Sequence, residues 1–127
     1  MPIHGLAHYN IRAERQLMEA LRDFYVAVVG LQPGPRPLRS AGYWLYAGKR
    51  DVLHLSEDID GGMRRIGSDL TFDHVAFECE NWLEFKNRLE RHAVAFTERC
   101  APGGTRQVFF RDPAGNGIEL AFPAGDA

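Results

Sequence analysis

The chain runs through the same order of segments twice, about 65 residues apart. Short alternating segments bracket two helical patterns. Residues 6–11 read as a strand, and over 13–29 the apolar positions Leu17, Leu21, Phe24, Tyr25 and Val28 recur at three- and four-residue steps, which predicts a helix. Gly30 follows where a helix C-terminus favours glycine, ahead of prolines at 33, 35 and 37. Residues 41–47 and 52–55 read as strands around the turn-like segment 48–51. The second half begins with a strand over 72–78. Asn81 is then placed to cap a helix carrying Trp82, Phe85 and Leu89, with Glu84 at the capping-box position. Strands over 93–97 and 107–111, the turn signal 112–117 and a closing strand over 118–122 complete it. Both halves share one strand–helix–strand–strand–strand order, with module one over about 4–57, a linker over about 58–69 and module two over about 70–123.

The register of the repeat picks out four side chains. His8 and His74 stand in the two first strands, 66 residues apart, and His54 and Glu119 in the two last strands, 65 apart. Counting back from the last strands lays Tyr43-Trp44-Leu45 over Val108-Phe109-Phe110 without a gap. Three imidazoles and a carboxylate suit a divalent first-row ion such as Zn, Fe, Ni, Co or Mn, with positions left open for water or substrate. Two of the histidines with Glu119 also satisfy the facial triad of non-haem iron oxygenases. Taken singly, a strand histidine is more often solvated or hydrogen-bonded than a ligand, and Glu119 between Ile118 and Leu120 reads equally as the solvent face of an edge strand. Occupation of duplicated positions is what favours a shared metal. His4, near a terminus, and His92, near a helix end, read as surface residues. Cys79 and Cys100 flank no His–Asp arrangement and read as buried or inert thiols.

Composition removes other classes. With 127 residues, 45% hydrophobic and 25% charged, the chain is predicted to be one soluble domain that needs no metal or disulfide merely to fold. Fifteen basic against 17 acidic residues leave a charge of −2, a near-balance that argues against a nucleic-acid protein with its basic face and high pI. No apolar run nears the ~20 residues of a membrane span, and the opening Met1-Pro2-Ile3-His4-Gly5 lacks a secretory pattern, so a cytoplasmic protein is expected. Gly103-Gly104 precedes a strand and makes a poor phosphate loop, and no G-x-S-x-G elbow is present.

These residues carry a family likeness. Gly5-Leu6-Ala7-His8 opens module one, with Phe24-Tyr25 and Gly30-Leu31 at the end of its helix. Phe72-Asp73-His74-Val75-Ala76-Phe77 opens module two, and the run from Phe109 through Asp112-Pro113-Ala114-Gly115-Asn116-Gly117 to Glu119-Leu120 closes it. The chain resembles the vicinal oxygen chelate superfamily, which groups glyoxalase I, bleomycin-resistance proteins, fosfomycin-resistance transferases, methylmalonyl-CoA epimerase and extradiol dioxygenases. The resemblance implies an α+β fold in which two βαβββ modules form a cup-shaped, eight-stranded mixed sheet around one divalent metal. It implies that His8, His74 and Glu119 are metal ligands, and that His54 is either a fourth ligand or an acid–base catalyst. The histidine and tyrosine of extradiol dioxygenases near the final hairpin are missing, Phe109 standing in place of the tyrosine, and glyoxalase I carries a carboxylate where this chain has His54. The expectation is therefore a metal-dependent enzyme acting on a small substrate with vicinal oxygens. Isomerase, epimerase or lyase chemistry is favoured over an extradiol-type dioxygenase, and the rival is a metal-free small-molecule binder. A homodimer is implied, with no nucleic-acid or membrane partner. Tyr43, Trp44, Tyr46, Phe109 and Phe110 are candidate pocket residues, of which strand parity allows about half on any one face.

Overall fold

The computed structural model describes residues 2–59, 64–67 and 70–126. The chain divides into two compact units, Met1–Arg64 and Arg65–Ala127. The first holds β1 (Tyr9–Ala13), α1 (Arg15–Phe24), β2 (Gln32–Gly34), β3 (Gly42–Ala47) and β4 (Arg50–Glu57). The second holds β5 (His74–Glu78), α2 (Trp82–Arg91), β6 (Thr97–Cys100), β7 (Arg106–Arg111) and β8 (Gly117–Phe122). The sheets are ordered β1-β4-β3-β2 and β5-β8-β7-β6, and in each the first strand pairs parallel with the last while the other pairings are antiparallel. The fold is α+β, two βαβββ modules each with its own four-stranded mixed sheet. Among the described residues no helix is long and apolar enough to cross a membrane.

Helix α1 begins two residues later than its periodicity predicts, because Ala13 completes β1. Glu14 caps it, its carboxylate accepting from the Gln16 and Leu17 amides at 2.8 Å each. The helix widens at its end into a π-helical turn, Tyr25–Val29, closed by Gly30 at φ 99°. That turn keeps Tyr25, Val28 and Val29 buried in line with Met18 and Leu21. Strand β2 escaped the sequence reading because Pro33 lies inside it. Proline is tolerated here because β2 is the sheet's edge and Pro33 has no donor to offer. The core of module one gathers Leu21, Tyr25, Leu45, Leu53 and Leu55, and that of module two Leu89, Val108, Ile118, Leu120 and Phe122, all fully buried.

The start of α2 corrects an expectation. Asn81 stands at the N-cap with φ 70°, but its side chain donates to Glu84 at 3.0 Å and makes no bond to the helix backbone. The free amides are taken by Asp126 instead, whose two carboxylate oxygens accept from Asn81 N at 3.0 Å and Trp82 N at 2.9 Å. The strand expected over 93–97 lies later, at Thr97–Cys100.

Of the two thiols expected to be buried or inert, Cys79 is partly buried whereas Cys100 is exposed. Desolvation pushes the Cys79 thiol up to about 11. At pH 8 its thiolate fraction is therefore about one part in a thousand. An alkylating reagent at that pH is expected to modify Cys100 in the folded protein and Cys79 only after unfolding. Peptide mapping that found Cys79 labelled first would contradict this burial.

Candidate functional site

Module two brings two of the four candidate residues into contact. His74 opens β5 opposite Gly117, and two residues on Ala76 lies opposite Glu119 on β8. His74 and Glu119 thus share one face of adjacent strands, with His74 Nε2 3.2 Å from Glu119 Oε1. The other ring nitrogen, Nδ1, lies 2.8 Å from Asp73 Oδ2. That bond holds Asp73 below the usual carboxylate range. Gln107 donates to the second oxygen of Glu119 at 3.2 Å. Glu119 is only 8% exposed and lies on a strand paired on both sides, so the edge-strand reading fails for it. Gly117 permits the approach of β5, since a Cβ there would collide with the Asp73 carbonyl oxygen.

Module one repeats the register. His8 immediately precedes β1, and two residues on Asn10 lies opposite His54 on β4, so His8 stands to His54 as His74 stands to Glu119. The side chains meet differently. The rings of His8 and His54 stack with centroids 3.7 Å apart and planes 14° apart. Trp44, the cross-strand neighbour of His54, stacks with it at 4.2 Å and 7°. His54 is 8% exposed, and its Nε2 lies 2.7 Å from Asp51 Oδ2. Asp51 is held low, first by this bond and next by bonding within its own backbone.

Alternation along a strand would put residues 51 and 54 on opposite faces. The ladder explains why it does not. Leu45 pairs with Leu53 but Ala47 with Arg50, so Asp51 and Val52 together oppose Tyr46. This bulge on β4 reverses the alternation and re-aims Asp51 toward His54. The β7–β8 ladder has no such shift from Arg106↔Phe122 to Arg111↔Gly117, and there the carboxylate comes from Asp73, adjacent to the histidine.

The donor chemistry fits a divalent ion. Ligands 2.0–2.2 Å from one such ion lie about 3–3.5 Å apart at neighbouring positions, and His74 Nε2 and Glu119 Oε1 already have that spacing. Asp73 behind His74 is placed as an outer carboxylate that would fix the imidazole with its other nitrogen forward were it to ligate an ion. His8 and His54 are arranged otherwise, because in stacked rings the in-plane lone pairs run side by side and do not converge. Among the described residues no group of three or more His, Cys, Asp or Glu side chains is arranged to hold a metal ion. Each module brings together two of the four.

Parity sorts the aromatic candidates. Trp44 lies opposite His54, and Phe109 lies opposite Glu119 with its ring edge-on to His74 at 6.1 Å. Tyr43 faces α1 instead, its hydroxyl donating to Glu19 at 2.6 Å, and Phe110 is buried in the core. Tyr46 binds the Pro35 carbonyl. Asp51, Asp73 and Gln107 were missed in the sequence. Adjacency to His74 was a signal for Asp73, whereas nothing local announced the bulge that recruits Asp51.

Comparison with known proteins supplies the family. The sequence profile of the Glyoxalase/Bleomycin resistance protein/Dioxygenase superfamily matches residues 5–120. The chain belongs to this superfamily. Among solved structures it is similar to a glyoxalase family protein from Bacillus anthracis, with 23% identity over 95% of this chain and 96% of that one, at a TM-score of 0.75. It is also similar to lactoylglutathione lyase from Agrobacterium tumefaciens, with 23% identity, 96% of each chain covered and a TM-score of 0.68. A third similar structure is TnmS3, an antibiotic binding protein from Streptomyces sp. CB03234, with 25% identity over 98% of this chain and 99% of that one, at a TM-score of 0.71. No curated protein matches the sequence. Solved proteins similar to this chain in fold thus include both a lyase and an antibiotic binding protein.

Proposed function

We propose that this superfamily member is a divalent-metal enzyme, a cytoplasmic homodimer that moves a proton beside a carbonyl in a small substrate with vicinal oxygens. His8, His74 and Glu119 would hold the ion, Zn, Fe, Ni, Co or Mn. The observation that carries the reading is that His54 and His74 each bind a carboxylate through one ring nitrogen, at 2.7 and 2.8 Å, leaving the other nitrogen for ligation or proton transfer. When bound, such an ion supplies Lewis-acid stabilisation of the negative charge that develops on neighbouring substrate oxygens.

The chain's own residues supply the rest. Asp51 accepts the Nε2 proton of His54 and thereby leaves Nδ1 as the basic atom. Nδ1 takes a proton from the carbon beside the carbonyl and returns it to the neighbouring position, so the imidazole ends as it began. While the ring carries the extra proton, the Asp51 carboxylate stabilises its charge. Trp44 and His8 on the faces of His54 hold the ring plane. The same stacking supports acid–base work for His54 over the role of fourth ligand.

Elemental analysis of protein purified without chelator or added metal tests this. About one equivalent of Zn, Ni, Co or Mn is expected, and isomerase or lyase assays would follow. Iron would direct the assays to dioxygen and catechol-like substrates. No metal, and no uptake when metals are supplied, would overturn the enzyme reading. It would leave a binder of planar ligands, which the ring stack on Trp44 and the likeness to an antibiotic binding protein favour as the second reading.

A further inference from the structure

Module one contains a cavity of about 260 Å³ that touches His54 but is lined chiefly by residues with no part in the chemistry above. Arg12, on β1, and Arg36, in the connection between β2 and β3, reach it from two sides. Neither guanidinium has a carboxylate partner among the described residues. Arg12 donates to the Glu57 carbonyl at 3.2 Å. Arg36 binds the backbone carbonyl of Ser40 and, at 3.2 Å, its hydroxyl. Arg36 Nε is buried with no hydrogen-bond partner. Among the described residues the one carboxylate on the cavity wall, Glu57, is already taken, clasped by Arg15 at 2.9 and 3.1 Å. Two guanidiniums without a carboxylate partner among the described residues, one of them with an unbonded buried N–H, are chemically suited to an oxyanion.

The mouth has the opposite character. Leu38 and Ile59 line it although they are 56% and 80% exposed. Ser40 holds Arg36 over Gly42, where any Cβ would meet the guanidinium, with Nη2 2.7 Å away. Gly42 therefore leaves room for a charge fixed against the sheet.

We propose that this cavity is the subsite for an oxyanion on an otherwise apolar ligand. Arg12 and Arg36 grip the carboxylate or phosphate, and Trp44, Leu38 and Ile59 cover its hydrophobic body. The inference deepens the reading of His54 as the working base, since His54 lines the same cavity and the anchored anion would set which carbon faces it. The subsite itself needs no metal.

The test is an NMR titration of the full-length, chelator-treated protein, reading the Trp44 indole and Arg36 Nε–H signals. The probes are benzoate, inorganic phosphate and, as the neutral counterpart of benzoate, benzamide. Saturable shifts with benzoate but not benzamide identify a carboxylate subsite, and shifts with phosphate a phosphate subsite. Either supports the proposal. Arg12→Gln and Arg36→Gln are each expected to weaken binding about ten- to a hundredfold while the remaining signals keep their dispersion. Absence of shifts at about 10 mM of either anion, where a millimolar site would be nine-tenths filled, overturns the subsite. So does binding that both variants retain. Anion binding by a protein that takes up no metal would leave the subsite standing and remove only the enzyme reading.

Discussion

Protein carrying His74→Ala is expected to purify without its metal and yet remain folded. The imidazole offers Nε2 toward Glu119 and has its Nδ1 fixed by Asp73, so its removal deletes a donor and leaves Glu119 with Gln107 as its remaining side-chain partner. The fold barely depends on it. The His74 side chain is 38% exposed at the first residue of β5, and truncation at such a site changes stability by about 1 kcal/mol or less. Asp73→Asn separates the two layers of the arrangement. It keeps the ligand but removes the charge behind it, and outer-carboxylate changes of this kind cost about 10–100-fold in metal affinity. His74→Ala must cost more than that. Competition with a chromophoric chelator ranks the affinities, and thermal unfolding of the metal-free proteins checks the fold. Stoichiometric metal retained in His74→Ala would refute the assignment of His74 as a ligand.

The placement of these pairs was legible because it depends on strand register, which a duplicated sequence displays. His8 and His74 precede by two residues the positions that face His54 and Glu119, so the offsets of 66 and 65 residues reflect hydrogen-bonded ladders. Gly30 and the 112–117 turn were legible for a similar reason, since their conformations are set locally. What stayed hidden is non-local or breaks a local rule. The cap of α2 comes from Asp126, 45 residues after Asn81, and no nearby pattern could show it. Strand β2 is concealed by the proline that an edge position excuses. The bulge on β4 is the most consequential miss. It alone puts Asp51 beside His54, and without it alternation assigns that carboxylate to the other face.

Asp112→Ala is expected to produce the largest loss of stability of any polar substitution in module two. Asp112 is 5% exposed and its side chain organises the turn between β7 and β8. One carboxylate oxygen accepts from the Ala114 and Asn116 amides at 2.9 Å each, and the other accepts from the Asn116 side chain at 3.0 Å. Alanine leaves two backbone donors unsatisfied beside a buried residue, Ala114, at about 1–3 kcal/mol each. A total of about 2–6 kcal/mol is a large share of the roughly 5–15 kcal/mol that holds an ordinary domain folded. Asp112→Asn, which keeps an acceptor oxygen in the same place, should recover most of it. Denaturant unfolding of the three metal-free proteins gives the comparison directly. The turn also joins Arg111 to its partner Gly117, and that register fixes Phe109 opposite Glu119. A slip of one residue would send Glu119 to the other face of the sheet. Metal content in the folded fraction of Asp112→Ala therefore reports the register: retained metal means that the strand ladder holds it unaided, and lost metal means that the turn is what aims Glu119.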